Sequence, residues 1–101
     1  MKLIVLMSIE EDADVLRKIL INHRIPVFSE TDVDGYKLSE SEHLHASWFS
    51  GKQSGIYSHM FIAFVNEQKS DEVLSAIEVY NESHEQLNPL RGFQLDVERG
   101  V

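Results

Sequence analysis

Two histidines near the middle of the chain are the side chains best suited to binding a metal ion. His43 and His45 are one residue apart, and Glu40 and Glu42 precede them. In extended backbone this spacing places both imidazoles on one side, where they could share copper, zinc or nickel, with carboxylates as oxygen donors. An ordinary polar loop containing two histidines is the other interpretation. The spacing leaves both open.

The few cations suggest a second kind of site, for an anion. Lys37 follows a predicted turn at Gly35, Arg91 precedes the last predicted strand, and Arg99 follows it. Arginine binds planar oxyanions through paired hydrogen bonds. In a closed oligomer, the Gly35 region of one subunit could meet the last strand of another and form a cleft for an anionic ligand. Alternatively, both arginines pair with surface carboxylates.

The sequence contains no catalytic signature, and we predict that the protein is not an enzyme. The motifs Gly-x-Ser-x-Gly, Gly-x-x-x-x-Gly-Lys-Ser/Thr and His-Glu-x-x-His are all absent. The absence of cysteine excludes thiol catalysis and thiolate metal sites. The acidic run from Glu10 to Asp14 is typical of a solvated helix start. His59 is expected to be a packed or capping histidine at the start of a strand.

Composition predicts a single cytoplasmic domain spanning residues 1–101. The formal net charge is −8, with 17 acidic and 9 basic residues. This balance argues against binding to nucleic acid, which requires a basic surface. The longest apolar run, Leu3–Met7, is too short for a membrane span or the apolar region of a signal peptide.

Strands and helices must position these side chains. The runs Lys2–Ser8 and Ser58–Val65 are apolar on both alternating faces, as in central strands, whereas Val27–Asp34 has a polar face typical of an edge strand. The remaining predicted elements are a helix to about His23 with capping-box spacing at Ser8 and Glu11, a helix over 70–82, and a half-buried last strand containing Phe93, Leu95 and Val97.

This order predicts an α+β, ferredoxin-like βαββαβ fold with a long loop, residues 35–57, between strands two and three. Two helices can cover only one face of a four-stranded sheet. Because the central strands are apolar on both faces, a second copy of the chain must cover the other face. The pattern therefore predicts a homo-oligomer.

The 35–57 loop is unusually long and aromatic. Loops beyond about 12–15 residues in compact domains are usually functional or disordered. This loop contains Tyr36, Trp48, Phe49 and Lys52. Exposed aromatic residues of this kind anchor protein partners, or pack against a neighbouring subunit of the same oligomer.

Several segments together resemble the PII signalling family. Ser29–Tyr36, with the sequence SETDVDGY, resembles the second strand of that family. Arg91–Arg99, with the sequence RGFQLDVER, resembles its last strand. Asp14–Arg17 resembles a family turn containing Asp-Val-Arg, and the 35–57 loop lies at the place of the flexible T-loop. The resemblance covers nearly the whole chain in the same order of elements.

The resemblance implies a homotrimeric signal-transduction protein with ferredoxin-like subunits. Clefts between subunits would bind adenine nucleotides or a related effector, and the T-loop would dock on a membrane transporter or an enzyme. Ser29 corresponds to a nucleotide-contacting threonine of the family, Gly35 to its loop-base glycine, and Arg91 to its phosphate-binding lysine. Lys37 and Arg99 complete the predicted effector site.

Two other hypotheses remain open. The first is a metal-binding trimer, akin to copper-tolerance proteins of this architecture, that uses His43 and His45, with His59 as a further ligand. The second is a small enzyme on a ferredoxin-like dimer, as in haem-degrading or monooxygenase folds.

Overall fold

The described part of the chain is a four-stranded antiparallel sheet with both helices on one face. The computed structural model describes residues 1–36 and 56–101. Its elements are β1 (Lys2–Ser8), a 3-10 turn (Glu10–Asp12), α1 (Ala13–Asn22), β2 (Ser29–Asp32), β3 (His59–Val65), α2 (Glu67–Ser83) and β4 (Arg91–Asp96). The strand order is β2-β3-β1-β4. The predicted α+β, ferredoxin-like βαββαβ fold is therefore confirmed, with β1 and β3 central and β2 at an edge.

The core lies between the helices and one face of the sheet. Alternate residues of the central strands, such as Ile4 and Phe61, are fully buried there. Gly92 in β4 allows a close approach of α2, because a Cβ atom at this position would lie 2.7 Å from Leu74 Cδ2. The helices contribute the predicted apolar positions Leu16, Leu20, Val73 and Ile77, all of which are buried.

The other face of the sheet is apolar and is covered by no element among the described residues. Its side chains form three rows across the sheet, defined by strand register as Leu95–Leu3–Phe64, Phe93–Val5–Ile62–Ser29 and Arg91–Met7–Met60–Thr31. We call these rows the open face. Phe64, Phe93 and Leu95 are 59%, 54% and 50% exposed. Exposed apolar surface of this kind marks an interaction surface.

The structure corrects the predicted strand β4. The sequence predicts a half-buried strand, but Phe93 and Leu95 project onto the open face. The side of β4 that faces the helices consists of Gly92 and Gln94, whose Oε1 accepts a hydrogen bond of 2.5 Å from buried Ser70 Oγ. Alternation in an edge strand indicates two different faces, but not which one meets the core.

Several predicted boundaries also change. The capping box at Ser8 is wrong, because its hydroxyl donates to the Ile9 carbonyl and a 3-10 turn precedes α1. Strand β2 is shorter than predicted, since only Ser29–Asp32 pairs with β3. Helix α2 begins at Glu67 rather than residue 70, because Asn66 Oδ1 caps it by accepting from the Lys69 amide at 2.8 Å.

Within residues 1–36 and 56–101, no helix combines the length and apolar character needed to span a membrane.

Candidate functional site at the base of the β2–β3 connection

Four strand ends meet at one end of the sheet. Strands β1 and β2 finish there, at Ser8 and Asp32, and both residues pair in register with His59, where β3 begins. Strand β4 begins at the same end, with Arg91 opposite Met7. The chain entering and leaving the β2–β3 connection therefore lies at the same end of the sheet as the start of β4.

The first and last residues of the β2–β3 connection lie against each other. We call residues 33–36 and 56–58 the stem. The Val33 amide donates to the Ser58 carbonyl at 2.8 Å, and the Ser58 amide donates to the Ser8 carbonyl at 3.0 Å. At Gly35 the two sides are so close that an added Cβ would lie 2.5 Å from Ile56 Cγ2 and 2.6 Å from the Tyr57 carbonyl oxygen. The absence of a side chain at Gly35 allows this contact.

We expect Gly35→Ala to open the stem. The added methyl group cannot fit between Ile56 and the Tyr57 carbonyl without a backbone shift, and overpacking of this kind costs about 1–3 kcal/mol. Amide hydrogen exchange at Val33 should accelerate and the free energy of unfolding should fall. Gly100→Ala is the matched control, because no atom of the described residues lies within 4 Å of a Cβ at that position. Equal exchange rates in both variants would contradict this prediction.

The stem is also tied to the segment that precedes β4. The Tyr57 hydroxyl donates to the Pro89 carbonyl at 2.5 Å. The Asn81 side chain holds the next residue by both backbone groups, because Nδ2 donates to the Leu90 carbonyl at 2.9 Å and Oδ1 accepts from the Leu90 amide at 3.0 Å. A continuous set of hydrogen bonds therefore links the stem, the start of β4 and α2.

Beside the stem, a buried histidine lies between two carboxylates. His59 is 9% exposed. Its Nδ1 lies 2.8 Å from Asp32 Oδ1, and its Nε2 lies 2.8 Å from Glu30 Oε1. Both ring nitrogens must donate to satisfy two carboxylate oxygens, which fits the doubly protonated imidazolium. His59, the first residue of β3, thus contacts two acidic residues of β2, the strand before the β2–β3 connection.

Glu30 is shared between this histidine and α1. The Arg17 guanidinium forms a bidentate salt bridge with the Glu30 carboxylate, with Nε donating to Oε2 at 2.9 Å and Nη2 to Oε1 at 2.6 Å. Arg17 Nη1 also donates to Asp14 at 3.0 Å. The Arg17 guanidinium, together with the His59 ring, lowers the pKa of the Glu30 carboxyl to about 2. The segment that resembles the family's Asp-Val-Arg turn therefore fixes β2 to α1.

The Glu30 ion pair should make stability depend on acid pH. Because the folded carboxyl has a pKa near 2 rather than its usual 4.5, the pair stabilises the fold fully above pH 4.5 and is lost as the pH falls towards 2. We expect Arg17→Gln to raise the midpoint of acid unfolding towards the ordinary titration range of glutamate. Circular dichroism against pH measures this midpoint. Arg24→Gln removes an exposed charge elsewhere and should leave it unchanged; an equal shift in both variants would contradict the prediction.

In a single chain, the predicted effector residues do not form one cluster. Gly35 and Arg91 are at the stem end of the sheet, but Ser29 is on edge strand β2 and Arg91 on the opposite edge, three strand spacings or about 14 Å away. Arg99 is at the other end of the sheet, since the Val97 amide donates to the Met1 carbonyl there. Tyr36, in the stem, is 53% exposed. The remaining predicted residues, Lys37, Trp48, Phe49 and Lys52, lie outside the described part of the chain.

The arginines of the predicted site differ from most other cations of the chain. Lys2, Arg17, Lys18 and Lys69 each contact a carboxylate. For the exposed guanidiniums of Arg91 and Arg99, no ion-pair partner is present among residues 1–36 and 56–101. The predicted alternative, neutralisation by surface carboxylates, is therefore not seen there. Guanidiniums without a carboxylate partner in the described ranges fit the predicted contact with an anionic ligand.

The metal hypothesis concerns residues mostly outside the described structure. His43 and His45 lie in the segment 37–55. Across the described ranges, no group of three or more histidine, aspartate or glutamate side chains is arranged to hold a metal ion. His59, the suggested further ligand, uses both ring nitrogens to contact Asp32 and Glu30.

Sequence reasoning missed the cluster of His59 and its carboxylates. Alternation correctly placed Glu30 and Asp32 on one side of β2, and it placed His59 at the start of the next strand. The missing information was the strand register, which sets Asp32 directly opposite His59. An acidic pair on one face followed by a histidine at the start of an antiparallel neighbour is the signal that could have suggested it.

Solved structures of other proteins resemble this chain in fold. Among solved structures, CPII of Thiomonas intermedia K12, a nitrogen regulatory PII-like protein bound to ADP, AMP and bicarbonate, superposes with a TM-score of 0.59 at 15% identity, covering 99% of this chain and 94% of CPII. This chain has the fold of the PII-like proteins. The predicted resemblance is thus confirmed at the level of the fold.

Two further structures share the PII-like fold. A DUF3240-family protein of Shewanella baltica has a TM-score of 0.63 at 15% identity, covering 99% of this chain and 92% of that protein. A candidate PII-like signalling protein of Thermus thermophilus has a TM-score of 0.64 at 10% identity, covering 95% of this chain and 85% of that protein. No protein-family model and no curated protein matches the sequence.

Proposed function

We propose that this chain is a non-enzymatic regulatory protein of the PII-like type. It assembles as a homotrimer, binds a small effector such as an adenine nucleotide at clefts between subunits, and controls a partner such as a membrane transporter or an enzyme through residues 35–57. The observation that carries the proposal is the PII-like fold with an apolar sheet face that no element of the described residues covers.

The open face supports assembly of several copies. Its central row joins Phe93, Val5 and Ile62 across three strands, and the outer row adds Leu95 and Phe64. Burial of apolar surface contributes about 25 cal/mol per Å², so three such faces packed together supply a shared core. This is the core that two helices on one face leave incomplete.

Closure of a ring would also bring the separated site residues together. Ser29 and Arg91 lie on opposite edges of the sheet, in strands β2 and β4. In a cyclic assembly each subunit presents one edge to the next, so the β2 edge and stem of one copy meet the β4 edge of its neighbour. Gly35 and Ser29 of one subunit then face Arg91 of another across the proposed cleft.

The charges at this cleft favour an anionic effector. The Arg91 guanidinium has no ion-pair partner within the described ranges, and it lies at the same end of the sheet as the stem. The similar fold of CPII was solved with ADP, AMP and bicarbonate, all of which are anions. Effector binding beside the stem would shift the population of conformations available to residues 35–57 and so alter partner binding.

Native mass spectrometry and calorimetry test the proposal directly. The purified chain should have the mass of a trimer, and ADP, AMP, ATP or bicarbonate should bind and be retained. A monomer would contradict the assembly, because the apolar face would then be stable in water. A trimer that binds none of the four compounds by either method would reject the effector class while leaving the assembly intact.

A further inference from the structure

We infer that His59 is a proton-responsive latch on the stem: the doubly protonated ring joins Asp32 to Glu30, and loss of one ring proton releases Asp32. The inference rests on the geometry of a single chain. It requires neither the proposed effector nor the proposed partner. It assigns a regulatory input, pH, to the base of the β2–β3 connection.

The latch depends on the two acceptors that the ring contacts. A neutral imidazole has one N–H donor and one lone pair. In the observed geometry, that lone pair would face a carboxylate oxygen at 2.8 Å, whichever nitrogen kept the proton. The contact would then be repulsive, so neutral His59 can hold only one of the two carboxylates.

The environment of each carboxylate determines which one loses its contact with a neutral His59 ring. The Glu30 side chain is 33% exposed and is held by the bidentate salt bridge with Arg17, which is itself anchored to Asp14 of α1. The Asp32 side chain is 86% exposed, and His59 is its ion-pair partner. The Glu30 carboxylate therefore keeps its contacts with Arg17 and the His59 ring, whereas the Asp32 side chain can rotate away from the ring and be solvated at little cost in free energy.

Two further residues that lie next to His59 are uncharged. On β1, the residue in register with His59 is uncharged Ser8, and on β3 the neighbouring Phe61 ring lies 5.1 Å from the imidazole. Glu30 and Asp32 contact the ring directly, and Arg17 and Asp14 continue from Glu30 to α1. Because the Glu30 pKa is about 2, that carboxylate stays ionised throughout the range from pH 5.5 to 8.5.

Release of Asp32 acts directly on the stem. Asp32 is the last residue of β2, and the next residue, Val33, donates the stem hydrogen bond to the Ser58 carbonyl, adjacent to His59. The contact between Asp32 and His59 thus joins β2 to β3 at the two residues adjacent to the hydrogen bond between Val33 and Ser58. A hydrogen-bonded ion pair with a largely exposed carboxylate is worth roughly a fivefold change in an opening equilibrium at most.

Amide hydrogen exchange by NMR tests the latch in the full chain. The protection factor of Val33, corrected for the intrinsic pH dependence of exchange, should fall about fivefold from pH 5.5 to 8.5, while that of core residue Ile4 stays constant. In Asp32→Asn, the amide can accept from the ring or donate to it, so the Val33 protection factor should not vary with pH. His59→Gln should also show no variation, and His84→Gln, at a distant histidine, should behave like the unmodified chain.

Two results would overturn the inference. One is a Val33 protection factor in the unmodified chain that stays within twofold between pH 5.5 and 8.5. The other is an Asp32→Asn variant that keeps the pH dependence of the unmodified chain. Asp32→Asn decides the matter even if His59→Gln fails to fold, because the Asp32 side chain is almost fully exposed.

Discussion

The variant Val5→Asp is expected to be a folded monomer. Val5 lies at the centre of the open face, between Phe93 of β4 and Ile62 of β3. Its side chain projects away from the helices, so the core of a single chain is unaffected. In the proposed trimer, however, each copy would bury an aspartate among apolar side chains. Burying a polar group without partners costs about 1–3 kcal/mol in proteins, and a charge costs more.

Native mass spectrometry across a dilution series measures this effect. Three buried carboxylates should weaken the assembly by at least about a hundredfold, since each 1.4 kcal/mol corresponds to a factor of ten. Val79→Asp is the matched control, because Val79 is 62% exposed on helix α2, away from the sheet. It should assemble like the unmodified chain. A Val5→Asp variant with unchanged oligomeric mass would show that the open face is not the interface.

The second large effect is expected at Arg91. In Arg91→Gln, affinity for ADP should fall about tenfold to a hundredfold, because charge-assisted hydrogen bonds contribute roughly 1.5–3 kcal/mol. The variant should keep the oligomeric mass of the unmodified chain, since Arg91 is at the rim of the open face rather than among its apolar residues. Calorimetric titration with ADP measures the change in affinity, and native mass spectrometry checks the assembly.

The control for this prediction is a second exposed arginine. Arg24 follows helix α1 and lacks an ion-pair partner in the described structure, so Arg24→Gln removes the same charge at a distance from the stem. Its ADP affinity should match that of the unmodified chain. If Arg24→Gln weakened ADP binding as much as Arg91→Gln does, the loss would reflect overall charge and not a contact with the ligand.

Alternation along the central strands was sufficient to predict the sheet. Lys2–Ser8 is apolar on both faces, as is the chain from His59 to Val65, and only a central strand between two apolar environments requires that pattern. The same pattern carried the prediction that one sheet face needs a further partner. These conclusions depend on side-chain chemistry at a period of two, which the sequence states directly.

Element boundaries were less predictable. The chain offered Ser8 and Glu11 at capping-box spacing, but the Ser8 hydroxyl bonds to the Ile9 carbonyl instead, and Asn66 supplies the cap that matters for α2. Serine and asparagine side chains bond to whichever backbone group is nearest. That choice is made only when the strand before the helix is in place.

The sequence by itself determined the order of elements, the doubly apolar centre of the sheet and the acidic character of the chain. Tertiary structure alone decided that Phe93 and Leu95 extend the open face, that Asp32 and Glu30 meet His59, and that Gly35 lies against Ile56 and Tyr57. The reason is physical. Hydrophobic periodicity is a local property of consecutive residues, whereas register and facing arise from pairing between segments far apart in the chain. The metal and anion sites could therefore be predicted from residue types alone, but the hydrogen bonds of the stem could be identified only from the fold.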